Sequence, residues 1–191
     1  AEAVFSRSSG RKINVSCTVR NLNVNDVREG SVVAFRDITD RKQMERRLIR
    51  QATRDPLTDL YNRRYFDIWL KREVRNVALR PDRQSALLYI DLDQFKYIND
   101  TLGHATGDRL LLECSEMLQE HTREADLLAR FGGDEFTLLL NDVDPPSAVG
   151  VAENIRLLFE NYRFMEAGKT FNITCSIGIA MLTHQSLSGD E

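Results

Sequence analysis

The first 37 residues carry the pattern of half-buried β-strands. Four apolar residues alternate with polar ones in this stretch: Ile13, Val15, Cys17 and Val19. A period of two is typical of a strand with one covered face. A second apolar run, 31–35, follows the turn signal Glu29-Gly30. Because two or three strands do not enclose a core alone, we expect this stretch to be the end of a domain that begins earlier.

The pattern becomes helical from Thr39 to about Arg54. Apolar residues form a narrow stripe at Met44, Leu48 and Ile49, and six residues of the segment are basic. Asp40, with Gln43 three residues later, is typical of a helix start. The stripe fits either a solvated helix face or one strand of a short coiled coil that links two signalling domains.

Helical and strand patterns alternate after Asp55-Pro56, a pair that ends the preceding helix. The predicted helices cover 63–79, 94–101, 105–121 and 146–162. The predicted strands cover 85–91, 126–131, 135–140 and 170–182. Gly132-Gly133 separates two of these strands and predicts a two-residue hairpin turn. This order predicts an α+β fold in which helices pack on a sheet that contains an antiparallel hairpin.

Composition and charge argue against some classes of function. The 191 residues are 42% hydrophobic and 29% charged, with a net charge of −3, so the chain lacks the basic excess of proteins that bind nucleic-acid polymers. No stretch reaches the length of a membrane helix, and we expect a soluble, cytoplasmic segment whose parent protein could still be membrane-anchored. Cys17, Cys114 and Cys175 lie far apart in apolar patterns and are interpreted as reduced core residues.

Acidic residues interrupt two of the predicted strands. Asp91 ends one strand directly before a helix, and Asp134 follows the two glycines. A type I′ turn at Gly132-Gly133 makes Asp134 the first residue of the returning strand. If the two strands are neighbours, the carboxylates converge beside a helix N-terminus, which suits Mg²⁺ and a polyphosphate. Spacing alone leaves a second interpretation open, in which both acids simply end strands in solvent.

Four segments resemble one known family in order and spacing. They are DPLTDLYNRRYF at 55–66, LLYIDLDQFKYINDTLGHATGDRLL at 87–111, RFGGDEF at 130–136 and TCSIGIA at 174–180. On these segments the chain resembles the GGDEF domains, the diguanylate cyclases of bacterial signalling, over about 55–182. Residues 1–38 look like the C-terminal part of a PAS-like domain, and 39–54 look like its signalling linker helix. The expected GGDEF domain covers 55–191 and lacks the last helix and strand of the family.

The resemblance implies a palm-like fold similar to that of adenylyl cyclases and polymerases, with a central, mostly antiparallel sheet flanked by helices. It also implies a homodimer in which each domain holds one GTP. The two GTP molecules condense into cyclic di-GMP with loss of two pyrophosphates. The alternative is a non-catalytic module that binds GTP or cyclic di-GMP and regulates an attached signalling domain, such as a phosphodiesterase domain further along the parent protein.

The family's metal and catalytic positions fall on four residues. By the resemblance, Asp91, the backbone carbonyl of Leu92 and Asp134 bind Mg²⁺ or Mn²⁺. Asp134 and Glu135 are the catalytic acids. A metal-bound carboxylate is a weak base because coordination lowers its pKa. We therefore expect Asp134 to act mainly by neutralising charge, and the part of Glu135 stays open.

The family's substrate-binding positions form a second set. It comprises Phe95, Lys96, Asn99, His104, Asp108, Gly132 and Gly133. The backbone amides at 94–96 match a cradle for the terminal phosphates. Asn99 and Asp108 match the guanine readers, because a carboxylate accepts hydrogen bonds from guanine N1–H and N2–H. For His104 the alternative is local capping or packing at a helix start, and a metal-ligand role is not expected.

A product-binding position follows from the same resemblance. The segment READ, Arg123 to Asp126, stands where many family members bind cyclic di-GMP and are inhibited by it. An Arg and an Asp at this spacing ordinarily form an ion pair at a helix exit, and the register with Gly132 favours the inhibitory site. Arg123 can bind a phosphate in a bidentate way or stack on guanine, and Arg130 is expected to assist.

Overall fold

A computed structural model describes residues 2–6, 10, 12–24 and 27–187 of the chain. The chain divides into two compact units, Ala1–Gln51 and Ala52–Glu191. The second unit thus begins close to Asp55, where the GGDEF-like segments begin.

The first unit contains three antiparallel strands and a helix. The strands are β1 (Glu2–Ser6), β2 (Lys12–Val24) and β3 (Val27–Asp37), in the order β1-β2-β3, and the helix is α1 (Thr39–Thr53). Gly30 lies inside β3, paired with Leu22, so the turn predicted at Glu29-Gly30 is wrong. Helix α1 begins at Thr39, so the predicted cap residue, Asp40, lies inside its first turn. Asp37 lies before the helix, and its Oδ1 atom accepts a hydrogen bond from the Thr39 N–H at 2.9 Å.

The second unit contains the helices α2 (Arg63–Leu79), α3 (Phe95–Leu102), α4 (His104–Glu120), α5 (Pro145–Asn161) and α6 (His184–Leu187). Its strands are β4 (Tyr61–Asn62), β5 (Ser85–Leu92), β6 (Leu127–Gly132), β7 (Glu135–Leu140), β8 (Arg163–Glu166), β9 (Lys169–Asn172) and β10 (Cys175–Leu182). Side-chain caps fix two helix starts. The Asn62 side chain accepts from the Tyr65 N–H, and Asp144 accepts from the Ser147 N–H.

One five-stranded sheet organises the second unit. The strand order is β10-β5-β7-β6-β4, and only β4 and β6 pair in parallel. Helices cover both faces of the sheet. Leu110 and Phe159, from α4 and α5, belong to a buried cluster with Leu88 of β5, whereas Phe66 of α2 packs on the other face with Leu139. The predicted α+β fold with a mostly antiparallel sheet flanked by helices is therefore confirmed.

The long alternating segment 170–182 is not one strand. It breaks at Ile173 and Thr174, so that β9 pairs with β8 in a separate hairpin and β10 joins the large sheet. Strands β4 and β8 and helix α6 were not predicted from the sequence. Cys114 and Cys175 are buried, as expected for core thiols, and Cys17 is half-buried. Among the described residues, no helix combines the length and the apolarity that a membrane crossing requires.

Candidate nucleotide and metal site

The glycine turn has a different register from the predicted one. Gly132 ends β6 at a bulge and pairs with Glu135, so the turn residues are Gly133 and Asp134. Gly133 has a φ of +53°, but Asp134 has no positive φ. The predicted type I′ turn and the position of Asp134 inside the returning strand are therefore wrong. Outside the neighbouring residues, no described atom lies within 4 Å of a Cβ built on Gly132 or Gly133, which leaves open space beside the turn.

The predicted neighbouring strands do bring the acids together. Strands β5 and β7 pair antiparallel, with Asp91 opposite Glu135. The Leu92 N–H donates to the Asp134 carbonyl oxygen at 3.3 Å. Burial raises the pKa of Asp91 above its ordinary value, and the negative charges of Asp134, Glu135 and Asp93 raise it further. The rim of the sheet therefore concentrates negative charge that a cation can balance.

A divalent metal fits this donor set. Asp91 and Asp134 offer carboxylate oxygens, and Leu92 offers a carbonyl, which are the hard oxygen ligands that Mg²⁺ prefers. In the described part of the chain no group of three or more His, Cys, Asp and Glu side chains could hold a metal alone. Mg²⁺ is usually bound by one or two carboxylates together with water and substrate phosphates, and Asp91 and Asp134 supply two carboxylates.

The Glu135 carboxylate lies near the Tyr89 hydroxyl, a proximity that was not predicted from the sequence. Burial together with this carboxylate raises the pKa of Tyr89 to about 12. Tyr89 and Asp91 are two residues apart in β5 and therefore lie on the same face of the sheet. Tyr89 therefore lies beside Asp91 and Glu135 at the rim of the sheet. An alternating pattern over 85–91 could have indicated this shared face.

The loop between β5 and α3 is fixed by β10. The Asp93 carboxylate accepts hydrogen bonds from the Thr174 hydroxyl at 2.6 Å and from the Ser176 hydroxyl at 2.7 Å. The Asp93 N–H donates to the Thr174 carbonyl oxygen at 3.0 Å. Gln94, the next residue, adopts the left-handed conformation with φ 60° and ψ 19°. Such backbone strain in a non-glycine residue often marks a binding site, and here it lies directly before the start of α3.

The two residues predicted to bind guanine, Asn99 and Asp108, lie in α3 and α4, which pack closely at Gly107. The Asn99 Oδ1 atom is buried and accepts no hydrogen bond from the described part of the chain. A Cβ built on Gly107 would stand 1.9 Å from this atom, so α3 and α4 approach closely at this point. Asp108 follows Gly107 and is exposed. The structure therefore places Asn99 against Gly107, the residue before Asp108, and leaves Asp108 exposed.

The remaining substrate-binding candidates differ in exposure. The Phe95 side chain is buried in the core, so only its backbone can face a ligand. Lys96 is exposed in the first turn of α3, and His104 is exposed at the first position of α4.

Arg130 holds the glycine turn. Its guanidinium donates to the Gly133 carbonyl oxygen from Nε at 3.1 Å and from Nη2 at 2.8 Å. The Nη1 atom donates to Asp55 Oδ1 at 3.0 Å, and the same oxygen accepts from the N–H and the hydroxyl of Thr58. The opening motif thereby supports the signature turn. Arg130 is engaged in these contacts rather than free to assist at a product site.

Arg123 and Asp126 lie at the opposite end of β6 from the glycine turn. The Asp126 N–H donates to the Arg123 carbonyl oxygen at 3.0 Å, and Asp126 Oδ1 accepts from the Asn141 N–H at 3.0 Å. Burial raises the pKa of Asp126 above its ordinary value. Both residues line a cavity of about 360 Å³ together with Arg54 and Tyr61. The predicted product-binding pair is therefore accessible in one cavity, away from the acidic rim.

Comparison with known proteins decides the family. The model of the family described as "Diguanylate cyclase, GGDEF domain" matches residues 52–190. The chain belongs to the GGDEF family. The match covers the whole second unit except its last residue, and it includes the glycine turn, the acidic rim and the cavity at Arg123.

Relatives of this GGDEF chain carry cyclase names. It is 37% identical over 182 residues to "Probable diguanylate cyclase DgcE" of Escherichia coli, covering 95% of this chain and 16% of DgcE. It is 39% identical over 144 residues to "Bifunctional diguanylate cyclase/cyclic di-GMP phosphodiesterase MucR" of Pseudomonas aeruginosa, covering 75% of this chain and 21% of MucR. The chain therefore spans a minor part of the length of these relatives.

A solved structure agrees with the fold. It contains the coiled coil and GGDEF domain of DgcB from Caulobacter crescentus in complex with c-di-GMP. The TM-score is 0.70 at 25% sequence identity, and the alignment covers 78% of this chain and 82% of that chain.

The GGDEF chain offers a direct test of the contact between α3 and α4. We expect Gly107→Ala to weaken Mg²⁺-GTP binding and to cost about 1–3 kcal/mol of stability, because the added methyl group displaces Asn99. Calorimetric titration and thermal melting measure the two effects. Gly150→Ala is the matched control, since Gly150 also lies in a helix, α5, but has no contact within 4 Å of its Cβ position. Equal behaviour of both variants would contradict the assigned position of Asn99.

Proposed function

We propose that this GGDEF domain is a diguanylate cyclase that condenses two GTP molecules into cyclic di-GMP and two pyrophosphates across a homodimer. The observation that carries the proposal is the convergence of Asp91 with Asp134 and Glu135 beside an open glycine turn, in a domain whose signature motif is intact. The family name and the names of the relatives support it. The protein acts on GTP as substrate, in the cytoplasm.

Each step of the reaction forms one phosphodiester bond. A ribose 3′-hydroxyl of one GTP attacks the α-phosphorus of the other, the bond to the β-phosphate oxygen breaks, and pyrophosphate leaves while the hydroxyl loses its proton. Positioning and charge neutralisation supply most of the acceleration in such transfers. A bound Mg²⁺ or Mn²⁺ supplies Lewis-acid stabilisation of the phosphate oxygens.

The chain's own residues hold and orient the reactants. Asp91, the Leu92 carbonyl and Asp134 would hold the metal, and Glu135 lies next to them, near Tyr89. The amides around Gln94 bind the terminal phosphates, with the Lys96 ammonium as a further contact. Gly132 and Gly133 let the nucleotide approach the backbone. One domain holds one GTP, so the two reacting nucleotides require two facing domains.

Guanine is recognised by Asn99 and Asp108. The Asn99 side-chain amide, which has both donor and acceptor groups, meets guanine N3 and the guanine amino group. Asp108 accepts from guanine N1–H and N2–H, donors that adenine lacks. When adenine occupies the site, the Asp108 carboxylate receives no hydrogen bond from the base, and this loss weakens binding.

The domain is regulated by its product and by neighbouring segments. Cyclic di-GMP binds at Arg123 and Asp126 and inhibits turnover, and the c-di-GMP complex of DgcB supports product binding in the family. Residues 1–38 are the end of a PAS-like domain, and 39–54 form the linker helix before the cyclase domain at 55–191. A downstream phosphodiesterase domain is consistent with the similarity to the bifunctional MucR.

Nucleotide selectivity tests the function. We expect Mg²⁺-GTP to bind more tightly than Mg²⁺-ATP, and Asp108→Ala to lose about 1–3 kcal/mol of GTP binding because a charged hydrogen bond is removed. Glu116→Ala, another exposed acid of α4, is the control and leaves the affinity unchanged. Calorimetric titration measures the Kd of the unmodified protein for GTP and for ATP, and the Kd of each variant for GTP. Equal affinities for the two nucleotides would remove the guanine assignment, and bound GTP that is never converted would favour a binding module.

A further inference from the structure

A column of stacked side chains ends in one cavity of the second unit. The rings of Tyr65 and Tyr61 stack with their centroids 4.4 Å apart. The guanidinium carbon of Arg54 lies 3.7 Å from the centroid of the Tyr61 ring, and Arg54 Nη1 donates to the Asp59 carbonyl oxygen at 3.1 Å. These contacts hold the guanidinium over the ring before any ligand arrives.

The cavity at the end of this column is the one that contains Arg123 and Asp126. Its volume of about 360 Å³ lies within the range of small-molecule sites. Arg54 and Arg123 contribute positive charge to its lining, and Asp126 contributes a half-buried carboxyl group. In the described part of the chain Arg54 forms no ion pair, so its charge is not already neutralised by a carboxylate.

This combination fits a guanine nucleotide with diester phosphates. Nucleobases stack on arginine planes as well as on aromatic rings, and a guanidinium backed by an aromatic ring is already ordered for such stacking. The Tyr61 ring lies against one side of the Arg54 guanidinium, and Arg54 also lines the cavity that a ligand would enter. The Asp126 carboxylate accepts from the guanine edge, and Arg123 matches a phosphate oxygen pair.

We propose that Arg54 is a further binding residue of the product site, where its guanidinium, backed by Tyr61, stacks on a guanine base of cyclic di-GMP. Arg123 binds a phosphate and Asp126 reads the guanine edge in the same cavity. This inference rests on the proposed product site at Arg123 and Asp126. It adds a residue outside the READ segment, at the point where the second unit begins.

Titration of cyclic di-GMP into the protein tests the role of Arg54. A non-hydrolysable GTP analogue with Mg²⁺ occupies the substrate site throughout, so that only binding elsewhere is measured. We expect Arg54→Met to raise the Kd about tenfold or more, and Arg54→Lys to fail to restore it, because an ammonium group has no flat face. Tyr61→Leu also raises the Kd because it removes the support of Arg54. Arg72→Met is the matched control, since Arg72 lies over Trp69 at 4.9 Å outside this cavity.

The possible results distinguish a wrong role for Arg54 from a wrong product site. If Arg123→Ala abolishes binding while Arg54→Met stays within twofold of the unmodified protein, the role of Arg54 is wrong and the product site stands. Full affinity in Arg54→Lys would contradict stacking. If Arg123→Ala binds as tightly as the unmodified protein, or if the unmodified protein does not bind, the product site itself is wrong. Melting curves followed by Trp69 fluorescence verify that each variant is folded.

Discussion

Asp134→Asn is expected to lower cyclic di-GMP synthesis by several orders of magnitude. The change removes one anionic metal ligand at the point where phosphate charge must be neutralised, a loss of about 3–5 kcal/mol of transition-state stabilisation. Asparagine is nearly isosteric, so the turn itself is kept. Product formation in the full-length protein with Mg²⁺-GTP is the measurement.

The stability of the same variant separates a catalytic role from a structural one. Asp134 raises the pKa of Asp91 through like-charge repulsion, so removal of its charge leaves the melting temperature without metal unchanged or slightly higher. The stabilisation by Mg²⁺-GTP shrinks, since less ligand is bound. Asp142→Asn is the control, at an exposed turn residue with a φ of +50° that asparagine also tolerates. Early melting of Asp134→Asn without ligand would mean that Asp134 is structural.

Glu73→Ala is expected to destabilise the second unit by about 3–5 kcal/mol, the cost of breaking a buried ion pair from one side. Glu73 is only 4% exposed. Its carboxylate accepts from the Ser85 hydroxyl at 2.6 Å, from Arg83 Nε at 2.7 Å and from Asn76 Nδ2 at 3.0 Å. The alanine variant leaves three donors without an acceptor. Trp69, the single tryptophan of the chain, lies in α2 with Glu73 and reports the unfolding.

The effect of Glu73 depends on pH. Burial alone would raise the pKa of Glu73, but the hydrogen bonds from Ser85, Arg83 and Asn76 lower it below its ordinary value of 4.5. The stabilisation is therefore complete above about pH 4.5 and is lost as the pH falls further. The stability gap between the unmodified protein and Glu73→Gln should narrow in that acidic range. Glu153→Ala is the control, since the Glu153 to Arg156 pair is solvent-exposed and should contribute little. Equal stability of Glu73→Ala and Glu153→Ala would contradict the account of this cluster.

The helices and strands that were predicted correctly are those whose apolar residues follow a single helical or alternating period. The four helices α2 to α5 and the strands β5 to β7 appear within one or two residues of their expected positions. Apolar residues at helical or alternating spacing define them, and glycine or proline marks their ends. The approach of Asp91 to the Asp134-Glu135 pair followed from the assumption that their strands are neighbours, which the register confirms.

The features that local patterns did not predict are fixed in part by contacts between residues that are distant in sequence. The alternation over 170–182 continues through Thr174, yet the Thr174 hydroxyl and carbonyl both bind Asp93, and the strand breaks there. The glycine pair predicts a turn at Gly132-Gly133, but the register shifts between Arg130 and Gly132 and moves the turn to Gly133 and Asp134. Arg130, which donates to the Gly133 carbonyl, also donates to Asp55, which is distant in sequence.

The conversion of GTP, followed by ³¹P NMR in the full-length protein with Mg²⁺, tests the central claim most directly. The proposed cyclase consumes two GTP molecules for each cyclic di-GMP and releases two pyrophosphates, and Asp134→Asn stops all three changes together. Signals of GDP and inorganic phosphate, or a GTP signal that persists while GTP is bound, would contradict the assignment of this domain as a diguanylate cyclase.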